Sequence, residues 1–305
     1  MKQLIHFLIY FCLLSTVLPT HAETSKANYP GSTAEIYKHA SGDDLYLYIF
    51  NPKDHDPAKD QRAAIVFFFG GGWNGGSTSQ FQQHTAYLAS RGMIAVLADY
   101  RVASRQKTTP MECVADGKSA VRWLRKNASR LGIDPNRIAA GGGSAGGHVA
   151  ATTGIISGLD DPADDKNISS KANALVLYNP VYDNSSEGYG YSRVKDYWKE
   201  ISPLQNIDQH SPPTIVFLGT KDKLIPVATA KKFDAKLKAA GIQSELHLYQ
   251  DQPHGFFNEG KGGTKIFLDT LRKTDAFLTA LGYLEGKPTE QQLAAASTRK
   301  KNKRD

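Results

Sequence analysis

Cysteine is almost missing from this chain: its 305 residues include two. Cys12 falls in the apolar N-terminal segment, so Cys113 stands alone in the body, and one thiol closes no internal disulfide. Cys113 sits at the start of an amphipathic helical pattern and reads as a packed small side chain. Stability must then come from a core, and 40% hydrophobic residues supply the material for one. No internal repeat appears, which argues against a solenoid or propeller. Past the N-terminus there is no apolar run long enough for a membrane span. The net charge of +7 is not a body property. Lys2 and the tail Arg299–Asp305, with five cations and one anion, account for all but about +2, so the body carries no nucleic-acid signature.

The N-terminus is expected to be a signal peptide over residues 1–22. Lys2 forms the charged end, Leu4 to Leu18 is apolar, and Thr20-His21-Ala22 offers a cleavage site. A catalytic domain is expected over 23–285 and a disordered basic tail over 286–305. The product would be exported, to the periplasm or beyond.

Apolar runs alternate with helical patterns, which predicts an α/β fold with a mostly parallel central sheet and helices on both faces. Strands are expected at 44–50, 63–69, 93–98, 137–140, 174–178, 214–218 and 244–249. Between them, Val114, Val121, Leu124, Ala128 and Leu131 form a helical stripe, with Arg122 off it. Pro226 opens another helix ending near Gly241, and Thr264–Leu281 gives a last one. From about 180 to 211 the pattern lapses into a Tyr-rich insertion of the length that usually serves function.

Gly142-x-Ser144-x-Gly146, between a strand and a helix, has the spacing of a nucleophile elbow. A serine needs a base, and the base an orienting acid. His254 lies in a Pro-His-Gly turn after the last strand, and Asp222 follows the strand before it. The rival acid, Asp251, reads as a turn cap. His84, His148, His210 and His247 read as structural or surface histidines. The glycine run after Phe67-Phe68-Phe69 gives the amides of Gly71 and Gly72, which with that of Ala145 would meet an oxyanion. It lacks the Gly-Lys-Ser/Thr ending of a phosphate loop. The acidic loop 160–165 reads as solvated rather than cation-binding, and the chemistry calls for neither metal nor cofactor.

With these pieces in order, the chain resembles the acetyl esterase/lipase branch of the α/β-hydrolase superfamily, near hormone-sensitive lipase-like and feruloyl esterase-like enzymes. The matching segments are Phe69-Gly70-Gly71-Gly72-Trp73, Asp99-Tyr100-Arg101, Gly132–Ile138, Gly143-Ser144-Ala145-Gly146-Gly147, Gly219-Thr220-Lys221-Asp222 and His254-Gly255-Phe256. Ser202-Pro203 and Pro212-Pro213 also match. The resemblance implies ester hydrolysis through an acyl-serine on Ser144, with Asp222 and His254 completing the triad. Many relatives have a histidine where this chain has Phe69, so the loop must be braced without that hydrogen bond. The resemblance also favours a short-acyl, O-acetyl carbohydrate esterase of acetyl xylan esterase type. The partner would then be a small-molecule or oligosaccharide ester, with Trp73, Tyr182, Tyr189, Tyr191 and Trp198 as candidate substrate contacts. Aromatic residues serve an apolar acyl pocket equally well. The alternatives are a feruloyl or general short-chain esterase, a prolyl oligopeptidase-type peptidase and an inactive binding module.

Overall fold

The computed structural model describes residues 26–297. The expected leader, with Cys12, and the cationic residues 299–305 lie outside the described residues. Eight strands form one sheet: β1 (Ser32–Ala40), β2 (Asp43–Phe50), β3 (Arg62–Phe68), β4 (Ile94–Ala98), β5 (Ile133–Gly143), β6 (Ala174–Tyr178), β7 (Thr214–Gly219) and β8 (Ser244–Tyr249). Their spatial order is β1-β2-β4-β3-β5-β6-β7-β8. β2 pairs antiparallel with β1 and with β4, and every later pairing is parallel. The six longer helices are α1 (Gln82–Ser90), α2 (Pro110–Lys126), α3 (Ala145–Ile155), α4 (Val227–Ala239), α5 (Thr264–Ala280) and α6 (Glu290–Ser297).

The period-two alternation of β3 divides the core. Ala64, Val66 and Phe68 pack on one side with Val121 and Leu124 of α2, Val149 of α3 and Phe233 of α4. Ala63, Ile65 and Phe67 pack on the other with Leu88 of α1, Phe267 and Leu271 of α5, and Leu293 of α6. A sheet covered on both faces explains the continuous apolar strands. α2 starts where it does because Thr109 and Glu112 form a capping box and Pro110 occupies the first turn. α3 is buried all round, so its sequence is small and apolar rather than amphipathic.

Three expectations need correction. The N-terminal edge strand β1 is absent from the sequence-based list, because most of its side chains are not buried and it carries no apolar run. Residues 286–297 are not a tail: α6 folds back, and Leu293 and Ala296 are buried beside α1 and α5. Burying a leucine contributes roughly 1.5–3 kcal/mol, enough to hold a short helix. Arg122, expected to lie off the packed stripe, is buried and bonds Asp160 and Asp164, while Asp161 bonds Lys38. The acidic loop is thus docked by ion pairs rather than solvated. Among the described residues no cluster of His, Cys, Asp or Glu could hold a metal ion, and no helix is long and apolar enough to cross a membrane.

Candidate active site

The carboxyl ends of β3, β5, β6, β7 and β8 meet at one edge of the sheet, where open α/β folds place their sites. Ser144 follows β5 directly and has φ 55° and ψ −122°, a conformation unusual for a residue with a side chain. Its amide donates to the Tyr178 carbonyl at 3.0 Å, and its carbonyl accepts from Val181 at 3.1 Å. The turn is thereby tied to the end of β6. Close approach dictates the flanking glycine: a Cβ on Gly146 would stand 2.2 Å from the Phe68 carbonyl oxygen and 2.3 Å from that of Phe69. Ala145 is the first residue of α3, so its amide has no acceptor within the helix and lies at the positive end of the helix dipole.

The three expected side chains meet. Ser144 Oγ is 2.9 Å from His254 Nε2, and His254 Nδ1 is 2.7 Å from Asp222 Oδ2. The other carboxylate oxygen, Oδ1, accepts from the amides of Leu224 at 2.8 Å and Ile225 at 3.0 Å. The Asp222 carboxylate is fully buried while His254 is partly open. This is the relay that converts a hydroxyl to a nucleophile: an acceptor at Oγ, and a buried acid fixing the imidazole tautomer. Asp251 takes no part; it is exposed and pairs with Lys221.

The glycine loop lies against the elbow, since a Cβ on Gly70 would be 3.3 Å from the Ser144 Cβ. Among the described residues neither the Gly71 nor the Gly72 amide finds an acceptor. Both are therefore free to donate, as the amides expected to meet an oxyanion must be. Phe69 takes the place of the usual histidine by stacking on Tyr100, with centroids 4.2 Å apart. Tyr100 Oη donates to the Phe69 carbonyl at 2.5 Å, and Gln80 Oε1 accepts from the Gly70 amide at 2.6 Å. These two side chains brace the loop from below. The sequence places Tyr100 in the matching segment Asp99-Tyr100-Arg101 but does not single out Gln80.

The insertion straps the loop from above. Arg193 donates to the Gly72 carbonyl and lies over the rings of Trp73 and Tyr189 at 5.2 and 5.4 Å. This corrects part of the aromatic expectation. Trp73 is buried, edge-on to His148 and beside Tyr189, and Tyr182 is buried with its ring stacked on Phe233. Neither offers a face to a sugar. Trp198 packs on a separate cluster of Val114, Val194 and Ile201. Tyr189, half-buried, and Tyr191, exposed, remain at the surface of the strap.

Two histidines outside the site are buried neutral. His148 Nε2 bonds the Ile201 carbonyl at 2.8 Å, yet burial lowers its pKa to about 4. His84, caged by Phe67, Phe81, Tyr178, Phe257 and Phe267, is lowered by burial to about 3. Burial likewise pushes the Cys113 thiol up, so it is no nucleophile.

Comparison with known proteins agrees with the fold and with an esterase. The BD-FAE family model matches residues 47–237. A structure of Thermogutta terrifontis esterase 2 phosphoramylated by tabun is 46% identical, with a TM-score of 0.82, covering 86% of this chain and 98% of that one. The propionate-bound form of the same esterase is 44% identical with a TM-score of 0.80, covering 85% and 97%. Esterase LipC of Mycobacterium tuberculosis is 29% identical over 217 residues, 63% of this chain and 52% of that protein. This chain thus spans about half the length of that curated relative.

Proposed function

The chain belongs to the BD-FAE family, within the esterase/lipase branch of the α/β-hydrolase superfamily, and from that premise we propose that it is a serine carboxylester hydrolase for short-acyl esters. The observation that carries this reading is the unbroken run of contacts from Ser144 through His254 to Asp222. His254 Nε2 takes the hydroxyl proton as Oγ bonds to the ester carbonyl carbon, and the carbonyl π pair moves onto oxygen. That oxyanion is met by the amides of Gly71, Gly72 and Ala145. As the pair returns, the alcohol C–O bond breaks and Nε2–H protonates the leaving oxygen. Water then repeats the sequence on the acyl-serine, with His254 again as base. Asp222 accepts from Nδ1–H and holds that tautomer.

Two likenesses support the reading. A neighbour of 46% identity is phosphoramylated by tabun, which requires a strong nucleophile, and the same esterase binds propionate, a short acid. The finer reading, an O-acetylesterase on carbohydrate, rests on the resemblance noted in the sequence and on half-buried Tyr189 beside the glycine loop, with Tyr191 exposed two residues on. An exported location belongs to the same proposal and rests on the leader-like residues 1–22. The test is hydrolysis of p-nitrophenyl esters from acetate to octanoate, beside acetate release from acetylated xylan. Ser144-dependent rates that fall with chain length, with acetate released from xylan, support both levels. Aryl-ester turnover without xylan deacetylation removes the xylan reading. Full turnover by Ser144→Ala removes the esterase mechanism.

A further inference from the structure

Asn179 is fully buried at the carboxyl end of β6 and has φ 34°, the left-handed region that asparagine tolerates better than other side chains. Its amide donates to the Phe217 carbonyl of β7 at 2.6 Å. Its side chain reaches the turn that carries His254. Oδ1 accepts from the Gly255 amide at 2.9 Å, and this bond fixes the orientation of the carboxamide, because Gly255 N–H needs an acceptor. Nδ2 is therefore the atom that faces His254 Nε2, at 3.4 Å.

Nε2 is the nitrogen that also meets Ser144 Oγ. In the resting imidazole it is an acceptor and both neighbours can donate to it. Once protonated it is a donor, and Asn179 then presents N–H to N–H. The charged groups around the ring are few. Asp222 faces Nδ1, and the Lys261 ammonium nitrogen stands 3.2 Å from where a Cβ on Gly255 would be. Asp251 is neutralised by Lys221 in the outer loop, and Tyr182 is a buried phenol near Asp222. Among the described residues the only side-chain neighbours of Nε2 within hydrogen-bond reach are Ser144 Oγ and Asn179 Nδ2, so no second acceptor competes for its proton.

We propose that Asn179 is a positioning residue for His254. It anchors the histidine turn through Gly255, and it denies the Nε2 proton any acceptor other than the serine or leaving-group oxygen. This rests on the acyl-serine reading above.

The test is the pH profile of kcat/KM for p-nitrophenyl acetate in full-length wild type, Asn179→Asp and Asn179→Gly, with Ser144→Ala alongside. Asn179→Asp keeps the shape and the Gly255 bond but turns an acceptor toward Nε2. Its acid limb is expected to move up by about one pH unit or more, with kcat at neutral pH down about tenfold and KM little changed. Asn179→Gly suits the backbone and removes the N–H. Its acid limb is also expected to move up, by less, and it decides the question if the buried aspartate prevents folding. Wild-type acid limbs in the folded variants would overturn the proposal. Loss of kcat without movement of the limb would reduce Asn179 to a structural anchor and overturn it equally. Activity surviving Ser144→Ala would instead overturn the acyl-serine reading on its own.

Discussion

At Ser144 the proposed nucleophilic oxygen and a positive-φ backbone belong to the same residue. The positive φ that lifts Oγ toward His254 is a conformation that costs a non-glycine residue about 1–3 kcal/mol. Replacing Ser144 by Ala should abolish turnover and leave the fold intact. Replacing it by Gly should also abolish turnover but raise stability by about 1 kcal/mol, because glycine enters this region freely. Equilibrium urea unfolding of the two variants checks this. A Ser144→Gly protein less stable than Ser144→Ala would show that the elbow stores no strain. Gly146 carries the opposite constraint. Its alanine variant drives a methyl into two fixed carbonyl oxygens, of Phe68 at the end of β3 and of Phe69 just past it, and should lose about 3 kcal/mol or more, or fail to accumulate.

At the scale of elements, the oxyanion loop is held between two layers. Tyr100 and Gln80 hold it from the sheet side, and Arg193 holds it from the strap. Because Arg193 is on the surface and bonds the loop whose Gly71 and Gly72 amides are proposed to meet the oxyanion, Arg193→Ala should lower kcat about tenfold with KM and the unfolding midpoint near wild type. An unchanged kcat would show that the strap is not needed for loop position. The same elements show what sequence can reveal. Ser144, Asp222 and His254 were legible because each follows a strand and sits in a glycine- or proline-marked turn, although only β5 and β7 end in buried apolar residues and β8, before His254, is mostly unburied. The strap was not legible, because its short turns at Tyr191–Val194 and Trp198–Ile201 are ordered by contacts with Trp73 and the Val114 cluster, which lie far away in sequence. Trp73 and Tyr182 were misread for the same reason. An aromatic in a polar segment resembles a ligand platform until the fold brings Tyr189 and Phe233 against it. β1 left one signal: Ser41-Gly42, both at positive φ, is a hairpin dipeptide.

At the scale of the whole molecule, His84 and His148 are two neutral histidines in the core of the described residues, and they tie its stability to pH. Unfolded, each takes a proton near its ordinary pKa of about 6.5. Folded, His148 resists until about pH 4 and His84 until about pH 3. The unfolded state therefore binds more protons across that window. Stability is greatest above about pH 6.5 and falls as pH drops toward 4, by about 1.4 kcal/mol per unit for each group. His84→Phe should halve that slope in urea midpoints measured from pH 8 to pH 4. Parallel slopes would show that His84 does not stay neutral. The central claim concerns the one nucleophile that the entire fold converges on. Its most direct measurement is peptide mass mapping after inactivation by paraoxon. A single diethylphosphoryl group on the Ser144 peptide, rising in step with loss of esterase activity and absent from Ser144→Ala, is the predicted result. Modification at another residue that tracks the loss of activity, or full activity after Ser144 is modified, would contradict the account.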